Sequence, residues 1–189
     1  MKRILLISIL LVIAVSLSFS QIAYKKGDQV GSITIGLGSF VYASGASSSL
    51  PPISFGYDYG FNENISFGGL VSYTGASQTY QTYNYTNIFN PVPVTAKWSW
   101  SYIIIGARGA YHYDLFHNYK IDTYGGVMLG YEIVSESTDN TSYPVSGSAS
   151  TMLFSGFIGG RYYFTPNLAA QAEIGFGLAL LNIGVAYKF

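Results

Sequence analysis

The sequence predicts an all-β protein in which eight antiparallel strands run up and down and close into a barrel that spans a membrane. Three observations predict it. After residue 20 no stretch is apolar for the length of a helix, yet segment after segment alternates large apolar with small or polar residues, the period-two signature of a strand. Charged residues are only 10% of the 189, while Gly reaches 22 residues and aromatics 17%; soluble domains carry about 25% charge. Within the alternating segments the ionisable side chains also fall on the parity opposite to the large apolar ones.

The first 21 residues read as a secretory signal. Lys2 and Arg3 form a basic start, Ile4 to Leu17 an apolar run, and Ser18-Phe19-Ser20 a small-x-small cleavage site before Gln21. The run is shorter than the roughly 20 residues of a spanning helix. Residues 1–20 are therefore set apart as a signal peptide, 21–30 as a polar lead-in, and 31–189 as the barrel. Cys is absent and the formal net charge is zero. The first removes disulfides, thiolate metal sites and lipid attachment at a Cys; the second offers no attraction to nucleic acid.

Taken in order, the strands are expected as follows. Gly31–Tyr42 places Ile33, Ile35, Leu37 and Val41 on one face. Ala43–Pro51, rich in Ser, Gly and Pro, reads as a loop. Pro52–Phe61 alternates Ile53, Phe55, Tyr57, Tyr59 and Phe61 with Ser54, Gly56, Asp58 and Gly60, and Asn62-Glu63-Asn64 is a tight turn. Ile65–Thr74 turns Ile65, Phe67, Val71 and Tyr73 outward. Gly75 to Ala96 is a long polar loop, and Trp98–Tyr113 follows, with Ile103, Ile105, Ala107, Tyr111 and Tyr113 opposite Ile104, Gly106, Arg108, Ala110 and His112. After the turn Asp114–Tyr119, Lys120–Val134 sends Ile121, Val127, Leu129, Tyr131 and Ile133 out, and Asp122, Tyr124, Met128 and Glu132 in. Ser135–Ser148 is the next long loop. Ala149–Phe164 sends Phe154, Ile158, Tyr162 and Phe164 out, and Ser155, Phe157 and Arg161 in. Thr165-Pro166-Asn167 turns into Leu168–Gly177, with Ala172, Ile174 and Phe176 outward and Gln171 and Glu173 inward. A short turn near Leu178 leads to the last strand, whose Leu181, Ile183, Val185, Tyr187 and Phe189 share one face.

Long and short connections alternate. In bacterial outer-membrane barrels the long loops are extracellular and the short turns periplasmic, so both chain ends are expected on the periplasmic side. Lipid rather than water should surround the barrel. A soluble eight-stranded barrel of lipocalin type turns its apolar face inward; here the face bearing Gly, Ser and charge is the one that would have to line the lumen. Aromatics cluster near strand ends, as expected of interfacial girdles. Trp98 and Trp100 sit there too, on the opposite parity unless a bulge shifts them.

The chemistry-bearing residues are few. Asp58, Arg108, Asp122, Glu132, Arg161 and Glu173 are expected to face the lumen, where buried charges need partners. A salt-bridge network is the structural reading, and an ion path the functional one. No metal cluster, phosphate loop or paired-carboxylate motif appears, so no catalytic residue, cofactor or metal is expected. Gly68-Gly69, Gly125-Gly126 and Gly159-Gly160 read as points of bending and close packing. The stretch Thr79–Phe89 carries Tyr80, Tyr83, Tyr85 and Phe89 among Gln, Asn and Thr, a composition suited to contact with an extracellular protein or glycan. It suits better a strand extension above the membrane whose aromatics pack on each other or on headgroups.

The signal peptide and the runs Ile105-Gly106-Ala107-Arg108-Gly109, Gly159-Gly160-Arg161-Tyr162, Ala172-Glu173-Ile174-Gly175 and Ile183-Gly184-Val185-Ala186-Tyr187-Lys188-Phe189 together resemble the small outer-membrane β-barrel family of Gram-negative bacteria, the OmpA/OmpX-like eight-stranded porin-family barrels. The resemblance implies an outer-membrane location and a monomer. It implies a structural or surface-interaction role, adhesion-like through the loops, with a narrow channel as the alternative. It also implies that Ile183, Val185, Tyr187 and Phe189 are read by the barrel assembly machinery. The peptidoglycan-binding domain of OmpA itself is not expected. Lipid-modifying barrel enzymes, such as the lipid A deacylase and palmitoyltransferase barrels, are similar in size. They need a His beside a Ser and a carboxylate, at the outer end or in a lipid-accessible lumen. Here the two His, His112 and His117, fall at the short-turn end, so no such enzyme is expected.

Overall fold

The computed structural model describes residues 23–40, 47–84, 92–139 and 146–189. The expected signal peptide therefore lies outside the described residues, as do Val41, Tyr85 and Phe89, and of Tyr83 only the backbone is described. Eight strands follow one another: β1 Gln29–Ser39, β2 Ser47–Gly60, β3 Ile65–Asn84, β4 Val92–His112, β5 Ile121–Thr138, β6 Ser146–Tyr163, β7 Leu168–Phe176 and β8 Ala179–Lys188. Each pairs antiparallel with the next, and β1 pairs with β8, so the sheet closes.

The closure satisfies the backbone, and the belt follows from parity. One row around the barrel runs Ile33, Phe55, Val71, Ile105, Tyr131, Met152, each paired with the next. All six are exposed. The row one step inward, Thr34, Ser54, Ser72, Ile104 and Glu132, is buried. A face of this composition, with no ionisable group in the belt row, matches hydrocarbon rather than water; the barrel is transmembrane.

Local chemistry shapes the short-turn end. The Asn62 carboxamide oxygen accepts the N–H groups of Asn64 and Ile65 at 2.9 and 2.7 Å, an Asx turn joining β2 to β3. Thr165 Oγ1 accepts the N–H of Leu168 at 2.9 Å between β6 and β7. Ring pairs Phe61–Phe67, Tyr162–Phe164 and Tyr187–Phe189 stand outward here, with centroids 5.2–6.4 Å apart. At the opposite end β7 and β8 are joined by Gly177-Leu178 alone, and Gly177 takes φ 96°. A Cβ there would lie 2.8 Å from that of Ser155.

The structure corrects several expected boundaries. β1 begins at Gln29 rather than Gly31, because Gln29 pairs with Tyr59 and Val30 with Lys188. Ser47–Pro51 was expected as loop but belongs to β2. The expected loop Gly75–Ala96 is largely a ladder, in which β3 and β4 stay paired up to Asn84 and Val92. Ser135–Thr138 and Ser146–Ser148 likewise extend the β5–β6 hairpin. Above the bilayer a strand faces water on its outer side, so polar Ser, Thr and Gln pair as well as apolar residues; low hydropathy did not mean loop. The ladders of β4 run without a shift, so Trp98 and Trp100 keep the lumen-side parity and do not join the outer girdle. The rim is consequently uneven, tall along β3–β6 and low along β7, β8 and β1.

Replacing Ile105 with Arg would place a charge in the middle of the belt. The expected cost is about 2–4 kcal/mol, read from urea unfolding out of lipid vesicles. A change below about 0.5 kcal/mol would contradict the lipid-facing assignment.

Candidate functional site

The lumen is filled in two layers. Toward the long-loop end, Leu70, Tyr102, Ile104, Met128 and Leu178 form a buried apolar cluster, with Trp100, Val134, Leu153 and Phe157 packed against it. Toward the short-turn end lies the charged layer. Arg108 on β4 reaches across to Glu173 on β7 (Nη2–Oε1 2.6 Å) and to Asp58 on β2 (Nε–Oδ1 3.3 Å). Arg161 on β6 contacts Asp58 Oδ2 at 2.5 Å and Asp122 Oδ2 at 3.5 Å, and donates to Gln171 Oε1 at 2.9 Å. Glu173 Oε1 also accepts from Tyr124 Oη at 2.9 Å and from Gln171 at 3.1 Å. All these side chains are buried. The guanidinium of Arg108 lies 4.1 Å from the Phe157 ring centre, and that of Arg161 4.8 Å from that of Tyr124.

Two glycines make room for this layer. Gly68 sits between Asp58 and Arg108 in the pairing row, and a Cβ there would lie 3.0 Å from the Asp58 Cα. Without it Arg108 crosses β3 to reach the carboxylate. A Cβ on Gly159 would lie 2.7 Å from the Glu173 Cγ. Both are pleat positions whose missing side chain is what lets long charged neighbours fold inward.

The six ionisable residues singled out from the sequence do not form one group. Asp58, Arg108, Asp122, Arg161 and Glu173 are connected by ion pairs. Glu132 faces the lumen higher on β5, level with Ile104 and Thr151, and none of the ion pairs among the described residues includes it. Tyr80 is exposed beside Trp98, with centroids 6.1 Å apart. Ile183, Val185, Tyr187 and Phe189 are exposed on the outer face.

Residues to which the sequence analysis gave no part in the charge network complete the layer. His112 Nδ1 lies 2.7 Å from Asp122 Oδ1, and His112 Nε2 lies 2.9 Å from Ser66 Oγ. The ring of Tyr24 stacks on that of His112, 3.6 Å between centroids and 2° from parallel. Tyr24 Oη donates toward the carbonyls of Ile65 and Asn62 at 2.7 and 3.1 Å. Burial, with Asp122 and Asp28 adding, pushes its phenol up to about 12, so Tyr24 stays neutral and keeps its proton to donate. Lys188 holds the same segment through the Ala23 carbonyl (3.1 Å) and Asp28 (3.4 Å), and Gly27 and Asp28 exchange backbone bonds with Gly60 at 2.8 Å. Residues 23–28 thus form a latch across the short-turn mouth. Only the inward parity of Ser66 and His112 was there to be read in the sequence.

Arg161→Met would leave Asp58 and Asp122 short of a partner. Removing one member of a buried pair costs about 3–5 kcal/mol, and urea titration of the folded barrel should show it. Glu132→Gln, which breaks no ion pair, should cost clearly less; equal losses would mean that the ion pairs do not hold the lumen.

No family model matches the chain, and no curated protein matches it. Among solved structures the chain is similar to a de novo designed transmembrane β-barrel (17% identity, TM-score 0.48, covering 89% of this chain and all of that one). It is similar as well to Ail, the attachment invasion locus protein of Yersinia pestis, solved with the heparin analogue sucrose octasulfate (16%, 0.48, 87% and 99%). The N-terminal β-barrel domain of Pseudomonas aeruginosa OprF is a third (13%, 0.48, 88% and 100%). The eight-stranded closed architecture of this chain rests on its own strand pairing.

Proposed function

We propose that this chain is an outer-membrane barrel of a Gram-negative bacterium. It has both termini in the periplasm and acts as a monomeric scaffold that presents its tall hairpins to an extracellular protein or glycan. The observation that carries the reading is the buried apolar cluster of Leu70, Tyr102, Ile104, Met128 and Leu178 inside the lumen, which narrows the polar path that a channel needs. Below that layer the charges are consumed by one another. An eight-stranded barrel has an interior just wide enough for side chains to fill. What remains free to act is the rim, where β3–β4 and β5–β6 rise beyond the belt with Tyr80 exposed. Tyr83, Tyr85 and Phe89 of the same stretch are proposed as further contacts. A lipid-modifying enzyme at the outer end has no His to use, since His112 and His117 both flank the β4–β5 turn. Recognition of Ile183, Val185, Tyr187 and Phe189 by the assembly machinery fits their exposure on the closing strand.

Replacing residues 79–97 by a tight turn should leave a heat-modifiable, folded barrel whose attachment to host cells or immobilised glycans falls at least tenfold. Unchanged attachment would remove the rim from the function. Reconstituted into planar bilayers, the intact protein should show no steady unitary current; a steady current would favour the narrow channel instead.

A further inference from the structure

The contact chain Ser66 Oγ–His112 Nε2–His112 Nδ1–Asp122 Oδ1, at 2.9 and 2.7 Å, has the geometry of an activated serine. We propose that Ser66 is a nucleophile, with His112 as its base and Asp122 as the positioning residue, acting on small carboxylic esters that enter from the short-turn mouth when Tyr24 lifts.

The carboxylate fixes the roles. With the Nδ1 proton directed at Asp122 Oδ1, His112 Nε2 is left to accept the proton of the Ser66 hydroxyl. The second oxygen of Asp122 faces Arg161 at 3.5 Å, which fixes the orientation of the carboxylate. All three residues are buried, and three neighbouring strands, β3, β4 and β5, carry them. Their positions are therefore set by ladder pairing rather than by loops.

Access is the second observation. A cavity of about 470 Å³ opens at the short-turn mouth, and its walls include Tyr24, Asn64, His112 and Asp122. Ser66 contacts the wall residue His112 at 2.9 Å, Tyr24 stacks on that ring, and the Tyr24 hydroxyl is bonded to the carbonyl of Ile65, the residue before Ser66. Tyr24 belongs to the latch and not to a strand, so it can swing away without breaking the ladder. Segments held by a few bonds open at far lower free energy than the sheet.

In the reaction Ser66 Oγ bonds to the ester carbonyl carbon while its proton passes to His112 Nε2. The bond to the leaving alkoxide breaks, and the alkoxide departs with that proton. Water then repeats the sequence on the acyl-serine, releasing the carboxylic acid and restoring Ser66.

The test uses the folded full barrel in detergent and a biotinylated fluorophosphonate, with which Ser66 forms a P–O bond as fluoride leaves. The adduct should map to Ser66 by peptide mass. It should vanish in Ser66→Ala, fall at least tenfold in His112→Gln, and form at least fivefold faster in Tyr24→Ala, with p-nitrophenyl acetate hydrolysis following the same order. Absence of an adduct in a folded, heat-modifiable Tyr24→Ala barrel would overturn the proposal, as would an adduct indifferent to His112→Gln; His112 would then be an imidazolium that only bridges charges. Should His112→Gln fail to fold, Ser66→Cys replaces it. Its thiol should alkylate at least tenfold faster than that of Ser54→Cys, a lumen-facing position bonded to Ser72 and not to a His. Equal rates would likewise overturn the proposal.

Discussion

The pairing of β1 with β8 is the contact on which everything else depends. In hydrocarbon an unpaired N–H or C=O costs several kcal/mol, so a spanning sheet has no tolerable edge. Nine register pairs from Val30–Lys188 to Ser39–Ala179 remove the edge here. Phe189 N then donates to the Gln29 carbonyl at 2.9 Å, carrying the seam to the final residue. Closure also sets the two sides of the wall: with the ring complete, each residue faces either lipid or lumen, and the pleat alternates between them.

That alternation inverts the usual globular arrangement, and the inversion has a consequence for packing. Most large apolar side chains are outside, so one layer of the interior is filled with charged and polar ones. Five charged residues from five different strands meet in the lumen, and each would be intolerable alone. Glycine provides the space, because a side chain at Gly68 or Gly159 would stand where Asp58 or Glu173 now lies. Strands that read as weak, Gly-rich β-formers are therefore strands shaped for long inward side chains.

The two ends are built differently. At the short-turn end, small Asx and Thr turns hold the strands level, and the latch Ala23–Asp28 seals the mouth through Lys188, Gly60 and the stacked Tyr24–His112 pair. At the other end β3–β6 continue past the belt, and their wall stands above β7 and β8. The barrel thus has two unlike ends, the uneven rim and the latched mouth.

The amino-acid sequence alone determined the class of object, the number of strands and the side of the wall each residue takes. All three follow from a period of two read locally and from the need to keep charge out of lipid. Asp58, Arg108, Arg161 and Glu173 could be assigned inward without knowing any neighbour. What the tertiary structure decided was which of them meet. Glu132 shares their parity yet sits a layer higher, among Ile104 and Thr151. Ser66, His112 and Asp122 come together only because β3 and β4, joined by a long hairpin, pair in the register Ser66–Ala110. Tight turns announce register; long hairpins do not, since every residue of slip moves one strand along the other. Height was equally hidden, because a polar strand in water and a polar loop have the same composition, and only the presence of a partner strand tells them apart.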